Sequence, residues 1–324
     1  MSSASASCTA NKPKRTDAAA HDSAAIGRFA PSPSGPLHLG SLLSAVASFL
    51  DARSRNGQWL LRIDDLDGPR TVAGSTERIY RALEHHGLEW DGRVALQSDH
   101  QAQYISALDN LHAQNALYHC SCTRKMVAGR PYPGTCRWRK TIANANKGAE
   151  PRSTAYAIRL QIPSTSNELD FDDELLGQQK HNLAAHSGDF IVRRADGLIS
   201  YQLAVVIDDA LTGVNRVVRG ADLLDSTPRQ ILLHQLLGLP LPAYLHLPVL
   251  LNRHGMKLSK QAHAVALDNS QPGQNLHLLL QLLHQSPPSQ LQFDSPAQIL
   301  AWAIQHWQPN ALPKTPELAG YIAH

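Results

Sequence analysis

Two segments that lie far apart in the chain carry residues suited to binding phosphate groups. The first, Pro31–Ser41, contains His38 and Gly40 and joins a short apolar strand to an amphipathic helix. The amides of such a loop and the positive end of the helix attract anions, and glycine lets a ligand approach the backbone closely. We therefore expect His38, Gly40 and Ser41 to bind ATP phosphates. His38 would also stabilise the charge that develops at the α-phosphorus during reaction.

The second segment reads Lys257-Leu-Ser-Lys260 and forms a polar loop. Its two ammonium groups would neutralise a departing pyrophosphate. Each segment alone is weak evidence, because histidines in turns and charged loops are common on protein surfaces. Their occurrence together, in this order on one α/β scaffold, is strong evidence for ATP-dependent chemistry, with Lys257 and Lys260 as catalytic residues.

Three cysteines, Cys120, Cys122 and Cys136, lie close together in the sequence. Four cysteines in 324 residues are too few for a disulfide framework, so the cluster indicates a metal site in a reducing compartment. Three thiolates favour tetrahedral zinc with a fourth ligand, which by ordinary ligand preference would be His119 or water. Buried free cysteines are the alternative. A zinc with all four positions filled would be structural.

The composition fits a globular protein of about two domains, with 43% apolar residues and a formal charge of +3. Charge is concentrated locally: between Cys120 and Leu160 nine basic residues face a single acid, Glu150. That segment would contact RNA phosphates or form a solvated surface loop. The N-terminal residues lack the apolar core of a signal peptide and no later run is long enough to span a membrane. We expect a cytoplasmic monomer with no membrane partner.

The hydrophobic pattern predicts alternating strands and helices, which is typical of a parallel sheet with ligands at the carboxyl ends of its strands. Predicted strands are Ile26–Phe29, Gln58–Ile63, His246–Leu251 and sheet-like stretches at Leu203–Ile207 and Val217–Val218. One helix is predicted to start near Gly40, a second to end at Gly87 and a third to lie around Tyr104–Leu117. A fourth would run from a cap at Thr227 to Gly238, and mostly helical sequence follows from Leu276 onward.

Together with the two phosphate segments, three sequence elements carry a family resemblance: Arg28–Gly35, Arg62–Asp67 and Val218–Asp222. The chain resembles class I aminoacyl-tRNA synthetases of the glutamyl branch over roughly residues 26–262. The signature elements are degenerate here. Ser41 stands where many relatives have histidine, and Gln261 stands where the lysine motif usually ends in serine.

The resemblance implies a Rossmann-like parallel-sheet catalytic domain with an inserted zinc-containing α+β subdomain and a short helical C-terminal region. Residues 1–25 would form a disordered tail and 26–119 the first half of the nucleotide-binding domain. The inserted basic, zinc-binding subdomain would span 120–200. Residues 201–270 would form the second half with the lysine loop, and 271–324 a truncated helical region.

The resemblance also assigns ligands. Arg28 and Arg219 would hold carboxylate oxygens of glutamate, since guanidinium binds carboxylate bidentately. Asp64 would receive the substrate ammonium, at a position where the family usually has the longer glutamate. Tyr201 would line the same pocket. The remaining contacts to glutamate would come from Phe29, Ala30, Pro31 and Ser32, and Lys260 would contact ATP. For the metal, the resemblance points to Tyr132 as the fourth ligand beside the cysteines.

The chain is most similar to the glutamyl-queuosine members of that branch, which implies activation of glutamate with ATP and Mg2+ in the absence of tRNA. Glutamate would then pass to the queuosine base in the anticodon loop of tRNA(Asp). Only about sixty residues follow Lys260, too few for a large helical anticodon-binding region. Two alternatives are a truncated glutamyl-tRNA synthetase that charges an acceptor end and a catalytically silent RNA-binding paralogue.

Overall fold

The structure is a computed structural model that describes residues 24–127, 129, 131–139, 156–252, 254–257 and 267–319. Its strands are β1 Ile26–Phe29, β2 Gln58–Ile63, β3 Ala95–Leu96, β4 Leu117–Cys120, β5 Ala157–Leu160, β6 Glu168–Asp173, β7 Gly177–Asn182, β8 Phe190–Arg193, β9 Arg216–Gly220, β10 Ala243–Leu247, β11 Val249–Leu250 and β12 Glu317–Leu318. Its α-helices are α1 Leu39–Arg53, α2 Ser75–His85, α3 Gln101–Ala113, α4 Arg124–Val127, α5 Leu183–His186, α6 Tyr201–Leu211, α7 Thr227–Leu237, α8 Pro272–Leu282 and α9 Pro296–His306.

The centre of the fold is a parallel arrangement of strands that confirms the predicted α/β class. β1, β2 and β3 pair in parallel, and β9, β10 and β6 form a second parallel group that β7 extends antiparallel. β1 lies beside β9, where the Asn215 amide donates to the Ile26 carbonyl at 3.1 Å. The chain order therefore reverses between β1 and β9. Ligands of open parallel sheets bind at such a switch point, outside the carboxyl ends of the strands.

Helix α1 follows β1 and anchors this edge of the sheet. Its buried residues include Leu42, Leu43, Val46 and Leu50, which recur at helical spacing and pack against β1 and β2. Helices α8 and α9 bury apolar side chains in the same core, on the side of α1 away from the strands. Helices α3, α6 and α7 form a second core on the opposite face of the sheet. Two layers of helices thus fix the positions of the strand ends at which a ligand would bind.

A smaller antiparallel sheet of β4, β5 and β8 follows α3. The buried Asp189 carboxylate joins its parts, accepting hydrogen bonds from the Tyr118 hydroxyl at 2.6 Å and the Arg137 guanidinium at 2.7 and 2.8 Å. The Ile162 amide donates to the same carboxylate at 2.9 Å. One acid therefore fixes the loop that carries Cys136 to the sheet that carries Cys120.

The prediction of a strand over Leu203–Ile207 is wrong, because these residues lie in the middle of helix α6. The run is apolar on successive residues and is buried on nearly every side, and periodicity alone cannot tell such a buried helix from a buried strand. The helix begins after Ser200 and its chain reverses at Gly213, where φ is +70°. This difference matters for function, since α6 brings Tyr201 and two acids to the centre of the molecule.

Other boundaries differ by a few residues. Pro248 divides the predicted strand His246–Leu251 into β10 and β11. Helix α7 is capped at Ser226 and not at Thr227, and it ends at Gly238, as predicted, with φ of +65°. None of the helices among the described residues is long and apolar enough to cross a lipid bilayer. Residues 1–23 of the predicted tail and much of the basic segment lie outside the described residues.

Candidate active site

A pocket of about 300 Å3 opens at the carboxyl ends of β1, β2 and β9, and we call it the central pocket. It is lined by the sequence-predicted residues Arg28, Phe29, Ala30, Pro31, Ser32, His38, Gly40, Ser41, Asp64, Tyr201, Arg219 and Lys257. The predicted Lys260 lies outside the described residues. The fold thus brings residues from five separate segments to one cavity, and their individual roles stay predictions.

Arg28 projects from β1 and is held by Asp209 of helix α6. Its Nε donates to both carboxylate oxygens of Asp209, at 3.2 Å each, and both side chains are buried. Among the described residues the two Nη atoms of Arg28 make no hydrogen bond, and Arg28 lines the central pocket. Asp209 therefore orients the guanidinium while leaving its outer edge for a ligand.

Arg62 connects Asp209 to Asp64. Its Nη1 donates to Asp209 at 2.6 Å and its Nε donates to Asp64 Oδ1 at 2.7 Å, although the guanidinium is nearly inaccessible to solvent. Burial disfavours the charge on Arg62, but the surrounding carboxylates outweigh it and raise the pKa of Arg62 well above its ordinary value. For Asp64 burial is the largest influence and raises the pKa of its carboxyl. Asp64 thus presents a carboxylate that a bound cation would stabilise.

Arg219 at the end of β9 is held by neutral partners. Its Nε donates to His246 Nε2 at 3.1 Å, and its Nη2 donates to the hydroxyl of Thr227 at 2.9 Å and to the side-chain Oε1 of Gln230 at 2.7 Å. Among the described residues no carboxylate pairs with this guanidinium and Nη1 makes no hydrogen bond. The charge of Arg219 is therefore fixed in position and available to an anionic ligand.

His246 can accept this hydrogen bond because Asp173 fixes its tautomer. His246 Nδ1 lies 2.6 Å from Asp173 Oδ2, so Nδ1 carries the proton and Nε2 is the acceptor for Arg219. Burial is the main reason that the pKa of His246 lies below its ordinary value, which keeps the ring neutral. The chain Asp173–His246–Arg219 is therefore a positioning device for the arginine.

The predicted phosphate segment forms the N-terminus of α1. His38 is the N-cap residue and its Nδ1 accepts from the Ser41 amide at 3.2 Å, while its Nε2 lies 3.1 Å from the Ser41 hydroxyl. The amide and the hydroxyl of Ser41 thus both contact the His38 ring. Across the central pocket Lys257 pairs with Asp222. An incoming phosphate would compete with that carboxylate for the ammonium group.

The cysteine cluster is brought together by β4 and the loop that leads to Cys136. The three sulfurs lie within 4.8 Å of one another, with Cys122 and Cys136 at 3.6 Å. The hydroxyl oxygen of Tyr132 lies 3.4 Å from the sulfur of Cys120 and 3.5 Å from that of Cys122. Tetrahedral zinc with bonds of about 2.3 Å to sulfur separates two sulfurs by about 3.8 Å. The three sulfurs and the Tyr132 oxygen are therefore close enough together to surround one zinc ion.

The side chain that lies beside the three sulfurs is Tyr132, and His119 is not part of the group. The His119 ring stacks on Tyr156 with centroids 5.7 Å apart and lines a different cavity beside α3. Tyr132 is fixed by the Arg159 guanidinium, 3.9 Å above its ring, and by a backbone bridge to Gly188. A Cβ on Gly188 would lie 2.3 Å from the Tyr132 amide nitrogen, so only glycine fits there. Burial raises the pKa of Tyr132, so its phenol stays protonated unless a cation displaces the proton.

Sequence reasoning missed the residues that hold the two arginines and Asp64. These are Arg62, Asp173, Asp208, Asp209, Thr227, Gln230 and His246. One signal was available: Asp208 and Asp209 are adjacent acids inside an apolar run, and buried acids need partners. Asp208, fully buried, accepts from Gln97 at 2.7 Å and from the Tyr104 hydroxyl at 2.7 Å.

Three buried histidines predict how the stability depends on pH. Burial is the largest cause that lowers the pKa of His86, His234 and His246 from 6.5. In the unfolded chain these rings titrate near pH 6.5, so below that pH the unfolded state binds more protons than the folded state. The free energy of unfolding should therefore be greatest above pH 6.5 and fall as the pH decreases from there toward the lowered pKa values. Urea unfolding between about pH 7.5 and about pH 5.5 measures this.

A matched pair of variants tests the cause. His234→Gln should flatten the decline in unfolding free energy with acid, whereas His85→Gln, at an exposed position on α2, should leave the slope unchanged. Equal slopes in the two variants and the original protein would show that buried histidines do not govern the acid response.

The chain is similar to known proteins over most of its length. Residues 25–282 match the family described as tRNA synthetases class I (E and Q), catalytic domain. The chain is 48% identical to the glutamyl-Q tRNA(Asp) synthetase of Thiobacillus denitrificans, covering 91% of this chain and 97% of that protein. It is 46% identical to the glutamyl-Q tRNA(Asp) synthetase of Ectopseudomonas mendocina, with 92% and 98% covered.

Among solved structures, a glutamate tRNA ligase from Elizabethkingia meningosepticum, in complex with its amino acid, has a TM-score of 0.75 at 24% identity. The match covers 90% of this chain and 66% of that ligase, and at this identity it shows the fold alone. The chain belongs to the class I tRNA synthetases of the glutamyl and glutaminyl type and, within them, to the glutamyl-Q tRNA(Asp) synthetases. It is thus a ligase that forms aminoacyl-tRNA-type bonds.

Proposed function

We propose that this enzyme activates L-glutamate with ATP, without RNA, and then transfers glutamate to the queuosine base in the anticodon loop of tRNA(Asp). The observation that carries the first half is the charge pattern of the central pocket. Two oriented guanidinium groups, Arg28 and Arg219, face a single buried carboxylate, Asp64, in one cavity. This pattern complements a molecule with two carboxylates and one ammonium group.

Activation needs no side-chain nucleophile. One oxygen of the substrate α-carboxylate attacks the α-phosphorus of ATP, a new O–P bond forms, and the bond to pyrophosphate breaks. The amides at the start of α1 and the His38 ring would stabilise the phosphate oxygens as charge shifts. Lys257 and Lys260 would stabilise the departing pyrophosphate. Magnesium bound with ATP supplies further neutralisation of phosphate charge.

In the second step a hydroxyl of the acceptor attacks the carbonyl of glutamyl-adenylate, the bond to AMP breaks, and an ester forms. The assignment of queuosine in tRNA(Asp) as acceptor is supported by the names of the relatives that share nearly their full length with this chain. Both names specify glutamyl-Q tRNA(Asp), and for this reason we prefer this reaction to the charging of a tRNA acceptor end.

The first test is pyrophosphate exchange. Because Arg28 and Arg219 are oriented by protein partners, the amino-acid site is complete in the chain alone. We expect glutamate-dependent exchange between ATP and labelled pyrophosphate at full rate before any RNA is added. Labelled glutamate should then pass to tRNA(Asp) that contains queuosine and not to the same tRNA lacking it. Exchange that appears only on addition of tRNA would refute activation without RNA.

We also propose that Cys120, Cys122, Tyr132 and Cys136 hold one structural zinc ion. The donor distances support it, and all four positions would be filled by protein, so no site is left for catalysis. The ion would fix the loop around Cys136 against β4. The three free thiols fit the reducing cytoplasm, where we expect the enzyme to act.

Elemental analysis tests the metal. The purified protein should contain about one zinc per chain, and the double variant Cys120→Ser/Cys122→Ser should contain none and melt at a lower temperature, because the metal links β4 to a distant loop. Cys8→Ser is the matched control, since Cys8 lies more than a hundred residues before Cys120 in the sequence. Zinc content equal in the double variant and the control would refute the site.

A second pair of variants identifies the fourth ligand. Tyr132→Phe removes only the hydroxyl and should weaken zinc retention against a chelator, whereas His119→Ala should not, because His119 stacks on Tyr156. If His119→Ala weakens zinc retention and Tyr132→Phe does not, His119 is the fourth ligand.

A further inference from the structure

Five charged side chains from β1, the end of β2 and helix α6 meet beside the central pocket, and we call them the charge cluster. Its members are Arg28, Arg62, Asp64, Asp208 and Asp209, and each of these side chains is at most 8% exposed. Arg28, Arg62 and Asp64 also line the central pocket. Buried charges are costly unless they are paired, so the balance of charge in this cluster affects what the pocket binds.

Arg62 lies at the centre of the charge cluster. Its Nη1 is 2.6 Å from Asp209, and its Nε is 2.7 Å from Asp64 and 3.7 Å from Asp208. Its Nη2 is buried and makes no hydrogen bond within the described part of the chain. The guanidinium of Arg62 is therefore held by carboxylates and links all three acids of the cluster.

The charge cluster has one negative charge in excess, because two guanidinium groups face three carboxylates. Asp208 accepts from Gln97 Nε2 and the Tyr104 hydroxyl at 2.7 Å each, and its Oδ1 lies 2.8 Å from His100 Nδ1. Gln97 and Tyr104 add no positive charge, and His100 adds one only when its ring is protonated. Asp64 is the acid of the cluster that lines the central pocket, so an ammonium group bound there would balance the charge.

Arg62 also decides how readily Asp64 ionises. Burial is the largest cause that raises the pKa of the Asp64 carboxyl, and the charges of Asp208 and Asp209 act in the same direction. The charge of Arg62 and its hydrogen bond to Asp64 oppose these effects. Without Arg62 the Asp64 carboxyl would keep its proton to higher pH and would present a neutral group to the pocket.

We infer that Arg62 is a positioning residue for recognition of the substrate amino group. It holds Asp64 at the central pocket as a carboxylate, so that the pocket selects a dicarboxylate with an ammonium group over one without it. Arg62 needs no contact with the substrate to do this. The inference rests on the proposed function, because the ammonium group is that of glutamate. Glutarate is the probe, since it has the two carboxylates and the chain length of glutamate but lacks the amino group.

The test compares variants by pyrophosphate exchange without RNA, with exchange in glutarate alone as the blank. Each protein yields a KM for glutamate and an inhibition constant for glutarate, and the ratio of the second to the first measures selectivity for the amino group. Arg62→Met removes the charge and Arg62→Lys keeps it. Arg53→Met is the matched control, since Arg53 donates to Asp91 at 2.6 Å and to the Gly57 carbonyl at 3.0 Å but does not line the central pocket.

Arg62→Met should lower the selectivity ratio by about tenfold or more, because the pocket then offers the ammonium group an uncharged partner. Arg62→Lys should recover part of the ratio, since the positive charge is retained. Arg53→Met should lower thermal stability and leave the ratio within about twofold of the original.

A double variant, Arg62→Met/Asp64→Asn, tests whether Arg62 acts through Asp64. It removes one charge of each sign, so the excess of one negative charge in the cluster is unchanged, and it gives an answer even if Arg62→Met does not fold. Its selectivity ratio should equal that of Asp64→Asn alone, because a positioning residue has no further effect once its target is gone.

The pH profile gives a second readout that a merely structural role would not change. From about pH 6.5 to about pH 8.5 the KM for glutamate of Arg62→Met should fall more steeply than that of the original enzyme, because rising pH ionises Asp64. The double variant should lack this added slope. It keeps His100 and the other ionisable groups besides arginine that line a cavity with Asp64, which are His38, Asp67, Tyr201, Asp222 and Lys257.

Three results would overturn the inference while leaving activation of glutamate intact. They are a ratio in Arg62→Met equal to the original, an equal decline in Arg53→Met, and a double variant with a ratio well below that of Asp64→Asn. An original enzyme that shows no glutamate-dependent exchange would instead refute the proposed function.

Discussion

Replacing Arg219 by glutamine is expected to raise the KM for glutamate by roughly two to three orders of magnitude, with the KM for ATP nearly unchanged. Loss of a buried charge partner costs about 2–5 kcal/mol in binding. The expected effect is large because the charge of Arg219 is not offset by a carboxylate of the protein among the described residues. Arg28, by contrast, shares its charge with Asp209. Steady-state pyrophosphate exchange at varied glutamate measures the change.

Arg219→Lys refines this prediction. Lysine keeps the charge but cannot bond to His246, Thr227 and Gln230 while also meeting a carboxylate in two places. We expect a loss intermediate between that of glutamine and the original enzyme. Full activity in Arg219→Lys would show that the positive charge alone, without the forked geometry of the guanidinium, is sufficient.

The matched control lies on the same strand. Arg216, at the other end of β9, pairs with Asp51 at 2.6 Å and with Glu174 at 2.6 Å and does not line the central pocket. Arg216→Gln should lower thermal stability while leaving the KM for glutamate within about twofold. Similar KM changes in the two variants would indicate a general loss of structure and not a lost substrate contact.

Much of the central pocket could be predicted because its residues lie in short motifs that end strands. Arg28, Asp64 and Arg219 each follow or end an apolar strand, and parallel strands place such residues at one edge of the sheet. Tyr201 lines the pocket even though the run that follows it, Leu203–Ile207, is helical and not the predicted strand. Its position depends only on where the helix begins.

The partners of these residues could not be predicted, because their pairing depends on topology. Arg28 and Asp209 are separated by 181 positions, and Arg219 and His246 meet only because β9 and β10 are adjacent. Nothing in local spacing connects such residues. The adjacent acids at Asp208 and Asp209 mark buried charge, but only the helical conformation of α6 shows that both face inward.

The structure also narrows the prediction that Asp64 receives the substrate ammonium group. Its neighbours in the same acidic segment are already occupied elsewhere. Asp65 accepts from the Ser98 amide at 2.8 Å and from its hydroxyl at 2.7 Å, and it does not line the central pocket. Asp67 does not line the central pocket either. Asp64 is thus the acid of this segment that can receive an ammonium group in the central pocket.

Asp64→Ala should reduce kcat/KM for glutamate by an amount equivalent to about 2–4 kcal/mol and leave ATP affinity almost unchanged. Alanine also deprives the buried Arg62 of its 2.7 Å partner, so part of this loss would be structural. Asp64→Asn separates the two effects. Its side-chain oxygen can still accept from Arg62, whereas its charge for the substrate ammonium is gone. We expect thermal stability closer to the original and a glutamate defect nearly as large as that of alanine.

Asp64→Glu, which introduces the residue that the sequence resemblance implies at this position, should impair glutamate use by about 1–3 kcal/mol, because Asp64 already contacts Arg62 in a buried site and a longer side chain overpacks it. Asp65→Asn is the control and should change neither kcat nor KM. Exchange kinetics at varied glutamate and varied ATP measure all four variants. If Asp64→Asn keeps the original kcat and KM for glutamate, the ammonium is held by another group and the positive pocket formed by Arg28 and Arg219 binds its substrate in a different orientation.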